Sequence, residues 1–294
     1  VISFRLAAVL TLVPPLGAVD AVLDLLERGT IAKIRRYERA FDGALGMAAV
    51  DLATGRHFAV NGDVLFPQAS SIKIPILMRM FQAERDGDFR WSDRLTLTSK
   101  DMAGGSGRLQ EELAKGPVTL TIRDLIAAMI ETSDNTATNK CIDLVKMERV
   151  NRMLDEMGFL QTRLRRLMMD GGAVARGLEN VSTPLEMVGI VERIFRGRVV
   201  DDKAGAEMIA IMKRVRADMR KAVPAEVEVA SKPGSVPGVR CETGIVYLPH
   251  RPFAISVMST FAKDGGAAVE EITRIVYAHF DKLARANVWG HRYR

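Results

Sequence analysis

The sequence has only two cysteines and four histidines in 294 residues. The histidines lie far apart, and neither an HExxH nor a CxxC pair occurs. A metal site therefore has no ligand spacing to build on, and no metal or organic cofactor is expected. Cys141 and Cys241 leave two readings open. They could form a disulfide, which a count alone does not establish. Alternatively, Cys141, inside an apolar helical pattern, is a buried free thiol. Motifs for binding DNA or RNA are also missing. The 42 basic and 36 acidic residues leave a net charge of +6, scattered along the chain. That balance reads as a mildly basic soluble protein, with no nucleic-acid partner. The clusters Lys33-Ile34-Arg35-Arg36 and Arg163-Leu164-Arg165-Arg166 read as solvated helix faces or helix ends. There is no internal repeat, low-complexity tract or long linker.

Long apolar runs are scarce as well. In the opening "VISFRLAAVLTLVPPLGAVDA", one arginine precedes about a dozen mostly apolar residues and a small-residue end. The run is short and broken by proline, so no stable membrane insertion is expected. It reads as a secretory signal peptide over residues 1–20, which makes the protein periplasmic or secreted. The competing reading is an amphipathic helix that merges with "VLDLLERG".

What the sequence does have is apolar residues, 48% of the chain, ample for a packed core. "IAKIRRYERAF" predicts a helix, and "LGMAAVDLATG" with "RHFAVNG" predicts a hairpin turning at Ala53-Thr54-Gly55. Helical patterns fill the middle. One starts at Thr121, with Asp124 placed for a capping box; another, "VNRMLDEMGF", closes at Gly158. A third runs from Thr183-Pro184 to Gly197, and "KAGAEMIAIMKRVRADM" predicts one more. The strand-like runs "VEVASKPG", "ETGIVYLP" and "FAISVMST" precede a last helix, "AAVEEITRIVYAHFDKLA". Strands near both ends and helices between them predict an α+β fold. Its antiparallel sheet carries the terminal helices and comes from residues 31–66 and 218–294, and residues 67–217 form an inserted all-helical lobe. The cleft between two such lobes is the natural place for a site.

Within "FPQASSIKIPIL", Ser70 and Lys73 are three apart at an apolar helix start. Pro75 suits a first turn, whose N–H groups have no helical partner. A serine there feels the positive end of the helix dipole, and a desolvated lysine beside it can take its proton. Alone, the pair reads equally as a capping serine and a surface lysine. Two further pieces follow in order, Ser133-Asp134-Asn135 after "DLIAAMIET" and Lys232-Pro233-Gly234 after "VEVAS". Ordered SxxK, SDN and KxG form the signature set of class A β-lactamases and penicillin-binding proteins.

From about Ala44 to Ala284 the chain resembles the penicillin-recognising serine hydrolases, most closely the class A β-lactamase-like proteins. The resemblance implies a β-lactamase/transpeptidase-like fold. It implies Ser70 as the acylated nucleophile, Lys73 as its base, and Ser133 as the relay of a proton to the leaving nitrogen. Asn135 would bond the substrate amide, and Lys232 would face the substrate carboxylate and tune Ser133. The N–H groups of Ser70 and Ser235 would form the oxyanion hole, and Gly234 belongs to the same substrate-binding strand. Asp134 would be structural, and Gly104-Gly105-Ser106-Gly107 would match the mobile loop at the cleft edge. The partner is a small molecule, a β-lactam or a peptidoglycan-derived substrate, taken by a monomer.

Two departures stand out. In "RLRRLMMDGGAVARGLENVSTP" the family's loop glutamate has no ExxLN match. Asp170 is the nearest carboxylate by position, one methylene shorter, and otherwise reads as a turn residue before Gly171-Gly172; Glu179 lies further on. Pro233 stands where the family has Thr or Ser, so Ser231 or Ser235 would have to supply the hydroxyl. Thr243 occupies the place of a carboxylate-binding arginine, and Arg240 is a nearby substitute. These features keep three readings in play: a β-lactamase, a carboxypeptidase or esterase on another acyl substrate, and a binding module without turnover.

Overall fold

The computed structural model describes residues 16–287 and 289–292. Residues 1–15, and with them most of the expected leader, lie outside the described residues. Residues 16–20 already belong to helix α1, Leu16–Ala40, which is longer than the helix expected from Ile31 onward. The hairpin β1, Ala44–Asp51, and β2, His57–Val60, follows, then the short β3, Phe66–Pro67. A 3-10 turn over Ala69–Ile72 runs into α2, Lys73–Arg85. The middle of the chain holds β4, Arg94–Leu97; α3, Leu109–Leu113; β5, Val118–Thr121; α4, Ile122–Glu131; and α5, Asn135–Val145. It continues with α6, Met147–Glu156; α7, Gly171–Ala175; β6, Val181–Ser182; α8, Pro184–Phe195; α9, Asp202–Met212; and α10, Asp218–Lys221. Strands β7, Val229–Val236, β8, Val239–Val246, and β9, Phe253–Thr260, precede the final helix α11, Gly265–Ala284.

Local chemistry sets these boundaries. Thr121 and Asp124 close a reciprocal capping box on α4. Thr183 caps α8 with Pro184 in its first turn. The single helix expected over "KAGAEMIAIMKRVRADM" is instead two, because the N–H groups of Asp218 and Met219 are drawn to the buried carboxylate of Glu242. That tertiary bond pulls the chain out of helical register before α10.

The main sheet is antiparallel in the order β2-β1-β9-β8-β7, so strands from both ends of the chain share it. One face packs on α1 and α11 through Ile34, Met47, Phe58, Phe253, Val257 and Phe280. The other face joins the core of the helices, with Ala230, Cys241 and Ile245 meeting Ile72, Ile76 and Ile126. The observed architecture is α+β, as the sequence predicts, but residues 67–217 are not all-helical: they also hold the paired strands β4 and β5 and the short β6. β7 is an edge strand, the setting in which a proline such as Pro233 is tolerated. Cys141 and Cys241 are both buried free thiols. Among the described residues no helix is long and apolar enough to cross a membrane.

Candidate active site

Ser70 lies in the 3-10 turn that leads into α2, half-buried, and it follows Ala69, whose φ of +42° is in the left-handed region. A β-carbon there is strained, and such strain persists only where the surroundings fix the backbone. Here they do. Ser71 donates from its hydroxyl to the Lys232 carbonyl of the edge strand at 3.2 Å. Gly234 comes so close that an added Cβ would sit 2.4 Å from the Gln68 carbonyl oxygen and 2.8 Å from the Ser71 nitrogen. Only glycine permits that approach, which is the physical content of the KxG glycine. It seats β7, with its exposed Ser235, against the serine turn.

Lys73, the first residue of α2, is wholly buried. Its Nζ donates to the Ser133 carbonyl at 2.7 Å, to Ser133 Oγ at 3.1 Å and to Asn135 Oδ1 at 3.0 Å. No hydrogen bond joins it to Ser70 Oγ among the described residues. Lys232, also buried, donates from Nζ to Ser133 Oγ at 3.1 Å and to the Pro233 carbonyl at 2.9 Å. Ser133 Oγ thus sits between two buried amines. Its own φ of +57° makes the sharp corner between α4 and α5 that carries it there. Asp134 caps α5 through Ala137 N–H and also accepts from Leu109 N–H, each at 2.9 Å. Asn135 Nδ2 bonds the Gly104 carbonyl at 3.0 Å, which holds the glycine-rich loop at the cleft edge.

Burial, then the charge of Lys232, pushes Lys73 down to about 6. Burial also lowers Lys232, to about 8, with Glu242 the main opposing charge. Near pH 7 the first is mostly a neutral amine that can accept a proton, and the second is mostly an ammonium. Two neighbouring lysines with unlike proton affinities have the chemistry for a base and for a fixed positive charge.

The cleft over these groups has a volume of about 380 Å³. Ser70, Ser106, Asn135 and Ser235 line one side of it, and Arg166, Met168, Met169 and Val174 line the other. None of its lining residues is Asp or Glu. Asp170 is exposed, does not line the cleft, and caps α7 by accepting from Ala173 N–H at 2.9 Å through Oδ1, the geometry of its turn-residue reading. Arg240 is likewise committed, ion-paired with Asp218 and absent from the lining. Ser231 is buried and donates to Glu242 at 2.7 Å, and Thr243 pairs with Ser256, so neither is free for a substrate. Ser235 is exposed in the lining.

Arg166 was not visible as a site residue, and its cluster is not a solvated helix face. It is buried in a loop and binds Glu179 through Nη2 at 2.7 Å, which ties together the two ends of the cleft's second wall. Opposite charges at the two loop ends were the available signal. Met169, at φ +62°, reaches across the cleft, and its Sδ lies 2.9 Å from where a Cβ on Gly105 would be. Among the described residues no cluster of His, Cys, Asp and Glu is arranged to hold a metal.

Residues 30–280 match the Beta-lactamase enzyme family. The chain belongs to that family. The match and the relatives named below make it a serine hydrolase of class A β-lactamase type. ROB-1 β-lactamase of Haemophilus influenzae is 26% identical over 255 residues, 83% of this chain and 82% of that one. A β-lactamase structure from Sphaerobacter thermophilus is 29% identical with a TM-score of 0.80, covering 86% of this chain and 97% of that one. A variant of PBP-A, solved as an acyl-enzyme complex with penicillin G, is 25% identical with a TM-score of 0.79, covering 87% and 97%. This family member therefore has structural neighbours named both for β-lactam hydrolysis and for penicillin binding.

Proposed function

We propose that the protein opens β-lactams through an ester on Ser70 and releases the acyl group slowly. The observation that carries the first half is Ser133 Oγ, held 3.1 Å from both buried lysine amines. In the proposed cycle, neutral Lys73 takes the Ser70 proton as Oγ attacks the lactam carbonyl carbon. The N–H groups of Ser70 and Ser235 bind the developing oxyanion, worth about 3 kcal/mol per donor. The carbon–nitrogen bond breaks, and Ser133 passes its proton to the leaving nitrogen while it is reprotonated from Lys73. Lys232, kept charged, favours this relay and attracts the substrate carboxylate. Asn135 orients the substrate amide. No cofactor enters the balance.

The second half rests on the cleft wall. Breaking the ester requires a base to activate water, and the residues lining the cleft hold no carboxylate. Lys73, neutral again after relay, is the base the cycle leaves, and Met168 and Met169 line the cleft where the family's loop carboxylate has no match. This favours a penicillin-binding carboxypeptidase or esterase, acting on a peptidoglycan-derived substrate, as the second reading. We place the protein outside the cytoplasmic membrane on the leader-like composition of its first residues; fractionation of the producing cells tests that assignment.

Intact-mass spectrometry with benzylpenicillin, from seconds to hours, tests the cycle. An adduct of the drug's own mass should form on the wild type, persist for minutes or longer, and be absent from Ser70→Ala. Fast loss of the adduct with accumulating product would replace slow release by full β-lactamase turnover. No adduct and no product would overturn β-lactam opening itself.

A further inference from the structure

Glu242 is wholly buried, yet the cycle above does not use it. It lies on β8 opposite Pro233, so its side chain and that of Ser231 share the sheet face turned away from the cleft. Oε1 accepts from Ser231 Oγ at 2.7 Å, and Oε2 accepts from the N–H groups of Asp218 and Met219 at 3.0 and 3.2 Å. On the opposite face of the same short segment, Lys232 reaches Ser133. The three residues Ser231-Lys232-Pro233 are therefore held from behind by a carboxylate and in front by the relay serine. Burying a carboxylate costs several kcal/mol unless its charge is met, and an apolar side chain would fill the same space without that cost. A buried charge kept one strand away from a catalytic amine calls for a functional account.

We propose that Glu242 is a positioning residue that keeps Lys232 charged, and thereby sets the upper pH limit of acylation. This rests on the reading of Lys232 as the charged partner of Ser133. The two groups lie on adjacent strands of one sheet, one residue apart in register, and both are buried, where Coulomb attraction is strong. Other charges bear on the pair. Asp218 and Lys221 come from α10, Glu270 on α11 meets Lys221, and Arg240 with the neutral thiol of Cys241 lies on β8. Lys73 from α2 is the opposing like charge in the cleft. Arg240 is satisfied by Asp218, which leaves Glu242 as the carboxylate best placed to hold the Lys232 proton. Burial pushes Glu242 up to about 7 and lowers Lys232 to about 8, so a carboxylate and an ammonium can face each other from neutral to mildly alkaline pH. The carboxylate then supports the ammonium in the range where support is needed.

The experiment is the pH profile of benzylpenicillin acylation, by stopped-flow or quenched mass spectrometry, for the wild type and Glu242→Gln. Glutamine keeps the shape and removes the charge; its Oε1 can still accept from the Asp218 and Met219 N–H groups, while its Nε2 must donate to Ser231 Oγ rather than accept from it. The alkaline midpoint should fall by about half a pH unit or more, which means an acylation rate lower by about twofold or more at pH 8 and nearly unchanged at pH 6.5. An unmoved midpoint overturns the proposal, as does an even loss at every pH, which is what a purely structural role would give. Should Glu242→Gln fail to fold, Ser231→Ala decides. Losing that donor raises the carboxyl's proton affinity, so the midpoint should fall in the same direction, and a fixed midpoint there also overturns the proposal. Absence of any acylation in the wild type would instead strike the proposed function, so the two failures are distinguishable.

Discussion

The two walls of the cleft differ in chemistry. The wall built from the serine turn, the α4–α5 corner and β7 is dense in polar groups that are fixed by one another, with Ser133 between two lysines. The wall built from the loop between α6 and α8 presents Arg166, Met168, Met169 and Val174 and no carboxylate. In the proposed cycle the first wall forms the acyl-enzyme, and the second brings no carboxylate to dismantle it. The lesson is that the halves of a two-step reaction can sit on separate segments and vary independently. Acylation and release should therefore respond to different mutations.

The largest effect should come from the first wall. Lys73→Ala removes the amine that the proposed cycle uses as base and should slow acylation by about a thousandfold, measured as adduct formation. A rate within tenfold of wild type would assign the base elsewhere. Next is Gly234→Ala. Its Cβ would meet the Gln68 carbonyl oxygen at 2.4 Å, so β7 must move back from the serine turn. A displacement near 1 Å costs on the order of a hundredfold in rate. The wall's acid–base pair should also show in the pH profile. The base form of Lys73 appears as pH rises through about 6, and the ammonium of Lys232 is lost as pH rises through about 8. Acylation should follow a bell with its maximum near 7, and a flat profile between 5 and 9 would break the division of roles.

The second wall should answer in stability and release. Arg166→Ala leaves Glu179 without its buried partner and unties the loop ends. Because Glu179 is partly exposed, the loss should be about 1–2 kcal/mol, which lowers Tm by several degrees. Adduct lifetime should change more than adduct formation. Equal changes in both would mean that the loop also shapes the acylation wall.

Much of the first wall was legible in the sequence, and little of the second was. Ser70-x-x-Lys73, Ser133-Asp134-Asn135 and Lys232-x-Gly234 are short motifs whose spacing is set by local backbone, a helix start, a corner and a strand. The alternation of strands and helices likewise exposed the α+β plan, and the Thr121–Asp124 cap is a local contact. Glu242, Arg166 and the break before α10 were hidden, because each depends on a partner far away in the chain. Glu242 reaches Ser231 across a hairpin and Asp218 across 24 residues. The Arg166–Glu179 pair spans 13 residues of loop that carry no periodicity. Arg240 and Asp170 show the converse. Position along the chain pointed to the cleft, while an ion pair with Asp218 and a helix cap claimed their side chains.

Asp170 supplies the smallest expected effect and a sharp test of the contrast between the walls. Its Oδ1 caps α7 through Ala173 N–H, and asparagine can make the same bond with its own side-chain oxygen. Asp170→Asn thus keeps the turn and removes only the charge. If the second wall offers no carboxylate to the ester, adduct lifetime in the variant should stay within about twofold of wild type, and Tm should move by less than about 2 °C. A lifetime longer by tenfold or more would mean that the loop shifts on acylation and turns Asp170 inward. The cap would then be its resting place, and the second wall would own a base after all. Asp170→Ala separates those cases further. It loses the cap as well as the charge, at about 1 kcal/mol, so a release defect common to both variants would follow the carboxylate, whereas one confined to the alanine would follow the loop.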